Sequence, residues 1–296
     1  MIAVKTVAAI DACLAADQGN AYRANLQKTL PALSDAYEQE TTGHRSHLGA
    51  SLIGDECGRK LWYIFRWVKD VPVEPKMIRL FNRGHLEEGR LVALLLAIGC
   101  KVYQFDDDGN QFRIAYVDGH FGGGLDCVIE ECPDIPDRPI LGEFKTHNKK
   151  SFEKLVSAGA VRKAKQQHYV QMQLYMGYYR LEYGLYLASC KDDDRLFAEI
   201  VPYDSDVDLA YRARAAGVIA APLPLPRIAN TSSHYSCRFC DYMPVCFGAQ
   251  APERNCRTCV HSKIVPNGWA CGLTGNMLSK EEQLAGCSSH QFIPKI

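Results

Sequence analysis

The sequence predicts an α/β fold with a mixed sheet flanked by helices and a cysteine-rich metal-binding C-terminal part. Helical and strand-like patterns alternate along the chain, and seven of the thirteen cysteines fall after residue 236. A chain of 296 residues with 47% hydrophobic and 23% charged residues can bury a sizeable core. We expect a helical leader at 1–45, a core at 46–250 and a small cysteine-rich module at 251–296.

Hydrophobic periodicity and Gly or Pro punctuation place the elements of the core. A helical pattern over 78–99 ends at Gly99, and alternating patterns predict strands at 101–105, 122–131 and 140–147. The remaining expectations are one or two helices over 149–180, a hairpin from 184–191 and 195–203, a helix over 203–221, an extended proline-rich connector at 221–227 and a last part with little regular pattern.

The charge balance excludes a globally basic nucleic-acid-binding protein, because 34 Lys and Arg residues are matched by 34 Asp and Glu residues. One stretch of the chain is locally basic and contains a single acidic residue, Glu153. Its basic residues are Lys145, Lys149, Lys150, Lys154, Arg162, Lys163 and Lys165. This run predicts docking of a phosphate backbone, with a solvated helix face as the alternative. No apolar run is long enough to span a membrane, and Lys5 and Asp11 break the apolar start, so we expect a cytoplasmic protein.

Two neighbouring strand-like runs bring acidic and basic residues to the centre of the core. Asp126 lies on the first run, and Glu143 and Lys145 lie on the second. Side chains two residues apart on a strand share one face, so Glu143 and Lys145 should project together while Phe144 turns into the core. If the runs pair as a hairpin, Asp126 lies beside Glu143. Such a group can hold a divalent metal against a phosphate and orient an attacking water, which predicts a metal-dependent nuclease; the alternative is a solvated strand face.

Two helices offer further groups to this site. On the helix before the strands, Glu88 is a candidate metal ligand, with His85 and Glu87 as competing candidates and a solvated charged face as the alternative. On the helix after the strands, Gln171 and Tyr175 are four residues apart and share one face. Amides and phenols are good donors and acceptors for phosphate, water or bases, but a half-buried amphipathic helix would explain them too.

Cysteine spacing predicts two metal sites. The first set has the spacing C-x2-C-x5-C and leaves one position open on a zinc ion or a four-iron cluster. Its members are Cys237, Cys240 and Cys246, with Cys57 as the candidate fourth ligand. The second set predicts a compact zinc module, because so short a segment has too little apolar core to fold without metal. Its members are Cys256, Cys259, Cys271 and Cys287, with His261 and His290 as substitute ligands.

These pieces together resemble the PD-(D/E)XK nuclease superfamily, with its RecB-type branch as the nearest group. That branch includes CRISPR-associated iron–sulfur nucleases, AddB-type subunits and phage-encoded exonucleases. The matching pieces are Asp126, the string Glu143-Phe144-Lys145-Thr146, the pair Gln171-x3-Tyr175, and Cys57 with Cys237, Cys240 and Cys246. They follow the order of the family over roughly residues 46–250, and the resemblance implies a restriction-endonuclease-like core closed by an iron–sulfur staple.

The resemblance also implies roles. Asp126 and Glu143 would bind Mg²⁺ or Mn²⁺, Lys145 would activate or position the water, and Gln171 and Tyr175 would contact the substrate. The first cysteine set would hold a structural 4Fe–4S cluster rather than zinc. The implied activity is DNA phosphodiester hydrolysis in recombination, repair or processing, with a phage or mobile-element origin. DNA ends or single strands are the expected substrates, and any helicase or recombination partner would be a separate chain.

The chain departs from the family pattern at two places. Leu125 rather than proline precedes Asp126, whereas the Pro-Asp pairs at 133–134 and 136–137 lie in the expected turn, so Asp126 is retained. Glu88 stands four positions past Gly84, where relatives place a histidine soon after a glycine. The rival function is a non-catalytic, metal-stapled DNA- or protein-binding module, and a second rival keeps the nuclease with zinc at both cysteine sets.

Overall fold

The computed structural model describes residues 1–32 and 44–296, so the part of the expected leader at 33–43 lies outside the described residues. The chain forms two compact units, each assembled from separated stretches of sequence. The first unit holds the described residues of Met1–Glu40, with Val73–Ile114 and Gly124–Asp208. The second unit holds the described residues of Thr41–Pro72, with Ala115–Gly123 and Leu209–Ile296.

Ten helices and eleven strands are present in the described ranges. The helices are α1 (Val4–Asp17), α2 (Asn20–Ala32), α3 (Gly58–Phe65), α4 (Pro75–Ala97), α5 (Lys149–Ala158), α6 (Val161–Ala164), α7 (Gln166–Tyr179), α8 (Ser205–Ala220), α9 (Met243–Cys246) and α10 (Lys280–Ala285). The strands are β1 (Leu48–Gly49), β2 (Lys101–Tyr103), β3 (Arg113–Tyr116), β4 (Phe121–Gly124), β5 (Cys127–Glu130), β6 (Ile140–His147), β7 (Tyr183–Cys190), β8 (Leu196–Pro202), β9 (Ser262–Val265), β10 (Gly268–Cys271) and β11 (Met277–Leu278). Across the described residues, no helix combines the length and the apolarity needed to cross a bilayer.

A five-stranded mixed sheet of order β2-β5-β6-β7-β8 organises the first unit. Its one parallel pair is β6 with β7, and the other three pairs are antiparallel. The parallel pair needs a crossover, which α5, α6 and α7 supply. Both central strands are buried along nearly their whole length, as expected for strands covered on both faces. The predicted mixed sheet flanked by helices is confirmed.

One face of this sheet packs on α4 and forms the apolar core of the first unit. Leu91 and Leu95 of α4 meet Phe144 of β6 and Leu185 of β7, all of them almost fully buried. Gly142 makes room for this packing, because a Cβ at that position would lie 2.9 Å from Ile129 Cδ1 and closer still to the Cys127 thiol. The sheet face around Phe144 is therefore apolar.

The helix predicted over 78–99 spans Pro75–Ala97, and its boundaries follow ordinary capping rules. Pro75 stands at the first helical position, where its missing N–H leaves no hydrogen bond unmade. Gly99 follows the helix with a φ of 91°, the left-handed conformation that often ends helices. The strand at 101–105 and the hairpin of 184–191 with 195–203 are likewise present as β2, β7 and β8.

Three expectations on secondary structure were wrong. The run 122–131 is not one strand but β4 and β5, which belong to different sheets, and the break at Leu125–Asp126 follows three consecutive glycines that carry no packing side chains. The range 149–180 holds three helices, since Gly159 adopts a φ of 60° and ends α5. The last part is more regular than expected, with the antiparallel sheet β9-β10-β11 and α10.

A buried arginine ties together distant parts of the second unit. The Arg257 guanidinium is 2% exposed and donates to the carbonyl oxygens of Phe65 and Ser46, both at 3.0 Å. Its Cζ lies 3.7 Å from the centroid of the Trp67 ring. Burial, together with the charge of the nearby Arg66, lowers its pKa to about 9. Carbonyl oxygens and aromatic faces thus solvate this cation inside the unit.

The close approach at Gly142 gives a test of the sheet packing. Gly142→Ala should destabilise the protein by about 1–3 kcal/mol, because the added methyl group overlaps Cys127 and Ile129 in a filled core. Gly84→Ala is the matched control, since a Cβ there meets no atom within 4 Å and Ala is favoured over Gly inside a helix. Urea unfolding should therefore give a lower midpoint for the first variant only. Equal midpoints for both variants would contradict this packing.

Candidate active site

The pairing of β5 with β6 brings Asp126 beside Glu143. Cys127 lies opposite Gly142 in the antiparallel register, so the preceding residue, Asp126, stands next to Glu143. The Asp126 Oδ2 accepts a hydrogen bond from the Phe144 backbone N–H at 2.7 Å. This bond extends the contact between β5 and β6 to the residue before β5 begins, and it holds the Asp126 carboxylate in place. The hairpin expected from the sequence is present.

Glu143 is fully buried, and its carboxylate is only partly compensated. The Lys145 ammonium group forms an ion pair with Oε1 and lies 3.8 Å from Asp126 Oδ2. Oε2 accepts no hydrogen bond from any residue within the described ranges. An uncompensated buried carboxylate oxygen destabilises a fold, so its presence indicates a site built to receive a positively charged group.

The electrostatics of the three groups follow from this burial. Loss of hydration raises the pKa of Glu143 to about 7, the Asp126 charge acts in the same direction, and Lys145 opposes both. Burial alone would lower the pKa of Lys145, but Glu143 and Asp126 outweigh it and raise that pKa above its ordinary value. Lys145 is therefore a permanent cation, whereas Glu143 is ready to exchange its proton for another positive charge.

A cavity of about 320 Å³ opens beside these groups in the first unit. Its lining is Gly84, Glu87, Glu88 and Leu91 from α4, Phe144, Lys145, Thr146 and His147 from β6, and Lys165 and His168. Of the three candidate ligands on α4, Glu87 is engaged: it accepts from Ser189 Oγ at 2.9 Å and pairs with Arg90 at 2.8 Å. Glu88 also lines the cavity, and His85 is not among the lining residues.

Gln171 and Tyr175 lie on the face of α7 near the carboxylates. Both are buried, and Gln171 Nε2 donates to the Tyr175 hydroxyl at 3.2 Å. Burial raises the pKa of Tyr175, and the charges of Glu143 and Asp126 raise it further, so the phenol stays protonated close to the site. Gln167, one turn earlier on the same face, is exposed.

Sequence reasoning missed a cluster of His147, His168 and Tyr186. The Tyr186 hydroxyl lies 2.9 Å from His147 Nε2 and 2.9 Å from His168 Nδ1, and the two imidazole rings stack at 5.8 Å. Burial lowers the pKa of His147 to about 4 and that of His168 to about 3, and nearby lysines add to the effect. Both rings are thus neutral at neutral pH. The available signal was alternation, since His147 follows Lys145 by two residues on β6.

Asp134, of the Pro-Asp pair at 133–134, binds helix α1 rather than the candidate site. Asp134 Oδ2 accepts hydrogen bonds from the Thr6 backbone N–H at 2.8 Å and from Thr6 Oγ1 at 2.7 Å. Both bonds hold α1 near its first turn. Asp134 is therefore engaged in packing within the first unit, away from the ion pair of Lys145.

The first cysteine set lies in the second unit. Cys57 precedes α3 and its Sγ accepts from the Lys60 backbone N–H at 3.4 Å. Cys240 N donates to the Cys237 carbonyl at 2.8 Å in a tight turn, and Cys246 ends α9. Burial raises the pKa of Cys237, and the charges of Cys57 and Cys246 act in the same direction. All thirteen cysteines are free thiols.

The second cysteine set surrounds a small cavity of about 20 Å³. All four of its cysteines line this cavity, together with His261 and His290. Backbone N–H groups of Thr274 and Leu273 lower the pKa of Cys271, which favours the thiolate that a metal needs. Cys256 instead points its thiol at the Glu282 carbonyl, at 3.5 Å. Over residues 1–32 and 44–296, no three His, Cys, Asp or Glu side chains converge as a group able to hold a metal ion.

Comparison with known proteins gives weak structural similarities. No protein-family model matches the chain, and no curated protein sequence matches it. Solved structures that match include an alkaline exonuclease (LHK-Exo) from Laribacter hongkongensis, with a TM-score of 0.44 and 16% identity over 60% of this chain and 88% of that chain. The same enzyme in complex with dAMP matches with a TM-score of 0.44 and 15% identity over 59% and 87%. The protein SSO0001 matches with a TM-score of 0.39 and 15% identity over 76% and 95%. At this level of similarity, function has to be inferred from the residues of the site.

The burial of Glu143 predicts an unusual dependence of stability on pH. Because its folded-state pKa is raised to about 7 from an ordinary 4.5, its contribution to stability is complete below pH 4.5 and is lost as the pH rises through 7. In buffer with a chelator at pH 8, Glu143→Gln should therefore melt several degrees higher than the wild type, at about 2–4 °C per kcal/mol. Near pH 5 the two melting temperatures should converge.

The matched control for this measurement is Glu153→Gln, which changes an exposed carboxylate and should leave the melting temperature nearly unchanged. Thermal unfolding followed by calorimetry would give both comparisons. A wild type that melts above Glu143→Gln at pH 8 would mean that the buried carboxylate is fully compensated in the fold.

Proposed function

We propose that this chain is a metal-dependent deoxyribonuclease of the PD-(D/E)XK type, related to the RecB branch. The observation that supports this most strongly is the buried Glu143 carboxylate, whose Oε2 accepts no hydrogen bond from the described residues, beside Asp126 and next to Lys145, a cation that lines the polar cavity. This arrangement is unfavourable for stability alone, and it supplies the charges that phosphodiester hydrolysis needs.

The donor set fits Mg²⁺ or Mn²⁺, which prefer oxygen ligands. Asp126 and Glu143 would hold the ion, and Glu88, which does not converge with them as a three-ligand group among the described residues, would reach the ion from the wall of the cavity. Magnesium commonly binds through one or two carboxylates with water and substrate phosphate, so a complete protein cage is not required. When bound, the ion supplies Lewis-acid stabilisation of the charge on the phosphate and lowers the pKa of bound water.

The surrounding side chains would orient the substrate. Lys145 places a permanent positive charge beside the carboxylates and would neutralise charge that develops on the phosphate oxygens. Lys165 adds a second cation to the cavity wall. The neutral rings of His147 and His168 can donate or accept a hydrogen bond without adding charge. Gln171 and Tyr175 would hold substrate or water near Glu143 through their amide and hydroxyl groups.

The basic run supports DNA as the substrate. Its lysines and Arg162 on α5 and α6 are mostly exposed and follow directly after β6, which carries Glu143 and Lys145. A strand of phosphates could therefore lead from these helices into the cavity. We propose single-stranded DNA or DNA ends as substrates, in recombination, repair or processing, with a helicase or recombination partner as a separate chain.

We further propose a 4Fe–4S cluster at the first cysteine set. In such a cluster each thiolate binds a different iron, so the four sulfurs need not converge on one point. The support is the C-x2-C-x5-C spacing of Cys237, Cys240 and Cys246, the tight turn in which the Cys240 backbone N–H donates to the Cys237 carbonyl, and the position of Cys57 in the same unit. The cluster would be structural and would join two stretches of the second unit that lie far apart in sequence. Zinc is the alternative occupant.

At the second cysteine set we propose a zinc ion. Four cysteines line one cavity whose volume of about 20 Å³ suits a single ion, and backbone N–H groups already favour the Cys271 thiolate. Binding requires Cys256 to turn from the Glu282 carbonyl, because its thiol proton is lost when the sulfur becomes a ligand.

A nuclease assay tests the proposed activity. Wild-type protein purified without oxygen should degrade end-labelled single- and double-stranded DNA with Mg²⁺ or Mn²⁺, and a chelator should abolish the reaction. Lys145→Ala should lower the rate at least 100-fold, because a cation beside the reacting phosphate is lost. Lys191→Ala, which removes a lysine that does not line the cavity, is the control. Sparing of a closed circle would identify an exonuclease, and no cleavage by metal-loaded wild type would favour a DNA- or protein-binding module.

Metal analysis tests the two cysteine sites separately. The wild type should be brown and contain about four irons and one zinc per chain if both proposals hold. Cys57→Ala should give poorly soluble, colourless protein, and Cys271→Ala should lose zinc but keep its colour. Cys13→Ala, outside both sets, should keep both metals. A brown Cys57→Ala protein with unchanged iron would remove Cys57 from the ligand set, and a colourless wild type with two zinc ions would replace the cluster by zinc.

A further inference from the structure

The first nine residues of α4 extend beyond the packed part of the helix. We call this segment, 75–83, the α4 arm. Every residue of the arm except Met77 is exposed, including the apolar side chains Ile78 (57% exposed) and Phe81 (50% exposed). The second half of α4 is by contrast anchored by buried residues such as Leu91 and Leu95. Adjacent large apolar side chains left in solvent on a rigid helix often mark a binding surface.

Helical geometry places Phe81 in line with the cavity. Phe81 precedes Glu88 by seven residues, which is two turns, so the two side chains point within about 20° of one another and lie about 10 Å apart along the axis. Gly84 lies between them on the same face and lines the cavity with Glu88. A Cβ at Gly84 would meet no atom within 4 Å, so the helix surface between Phe81 and Glu88 is open at that position. Phe81 therefore lies two turns before Glu88, on the side of α4 that lines the cavity.

The charge around this ring fits a polyanion. The stretch from Pro75 to Leu86 contains no Asp or Glu, and the remaining faces of the arm carry Lys76, Arg79 and Arg83. The cavity contributes the cations Lys145 and Lys165, beside the carboxylates Glu87 and Glu88, which could face a metal ion rather than the phosphate. A flat aromatic ring with cations around it, leading to a phosphate site, is the combination that binds single-stranded nucleic acids through base stacking.

We propose that Phe81 stacks on an unpaired nucleobase of the DNA strand whose phosphate enters the cavity. The site then takes single-stranded or locally unpaired DNA, because a base inside a duplex has both faces covered by its neighbours. This inference rests on the proposed nuclease function and specifies its substrate. Phe81 is a positioning residue in this scheme: it holds the strand, and its ring does not reach the reacting phosphate.

Binding of a fluorescein-labelled single-stranded oligonucleotide tests the proposal. With Ca²⁺ in place of Mg²⁺ to slow cleavage, fluorescence anisotropy would compare the wild type, Phe81→Ala and Phe81→Trp. Loss of one base-stacking contact should weaken binding roughly tenfold in Phe81→Ala, and Phe81→Trp should restore it. Val73→Ala is the matched control, since Val73 is an apolar side chain of similar exposure (46%) that precedes the α4 arm. Neither exposed substitution should affect folding.

Moving one abasic site along the oligonucleotide adds an independent readout. At the contacted position, the abasic site should weaken binding by wild type and leave Phe81→Ala unaffected, whereas elsewhere both proteins should respond equally. A blunt duplex should bind all variants with similar affinity.

The proposal is overturned if Phe81→Ala binds the single strand like wild type, or if it loses affinity for duplex and single strand alike. It is also overturned if the variant changes the sedimentation of the free protein, because the arm would then contact a second copy of the chain. If wild type cleaves DNA and Lys145→Ala does not, while Phe81→Ala binds like wild type, the stacking inference alone fails. If wild type neither binds nor cleaves DNA, the proposed nuclease fails with it.

Discussion

The antiparallel register of β5 with β6 is the constraint on which the candidate site depends. Phe144 must face the core formed with α4, and Gly142 must leave space for the Cys127 thiol. Since side chains alternate along a strand, these two apolar requirements force Glu143 and Lys145 onto the opposite face. A slip of one residue would bury both charged side chains against leucines and turn Phe144 outward. The core therefore secures the position of the polar site through packing that involves no polar atom.

The polar face of the sheet contains a buried carboxylate that destabilises the fold. Packing elsewhere in the first unit has to offset this loss of stability. Oε2 of Glu143 accepts no hydrogen bond from the described residues, and the Lys145 cation that pairs with Oε1 also lies 3.8 Å from Asp126 Oδ2. Two nearby side chains, His147 and His168, are neutral and add no further buried charge. The Tyr186 hydroxyl links them. Buried ionisable groups with incomplete charge compensation are typical of sites where a bound ligand supplies the missing charge. Such a site makes the folded protein less stable than a fully apolar core would.

Local patterns allowed the sheet and the charged triplet to be predicted, because period-two alternation and glycine punctuation are properties of neighbouring residues. Asp126, Glu143 and Lys145 were placed from one hairpin, and α4 was predicted to within three residues. The cluster of His147, His168 and Tyr186 was missed because its members come from β6, α7 and β7, and no spacing links them. The break between β4 and β5 was missed for a related reason: Gly122 to Gly124 and the following residues read as one strand until their partners are known. Roles for Glu88, Gln171 and the cysteines remain predictions.

The contacts of Arg257 have a consequence for biosynthesis. Its guanidinium binds the Phe65 carbonyl, 192 residues earlier in the chain, and covers the ring of Trp67. At a translation rate of about 5–20 residues per second, these early residues emerge roughly 10–40 s before their final partner. The second unit therefore cannot complete its core while the middle of the chain is still being made. A nascent chain of this protein leaves Phe65 and Trp67 without their final partner throughout that interval, which makes it a natural client for chaperones that act on the ribosome.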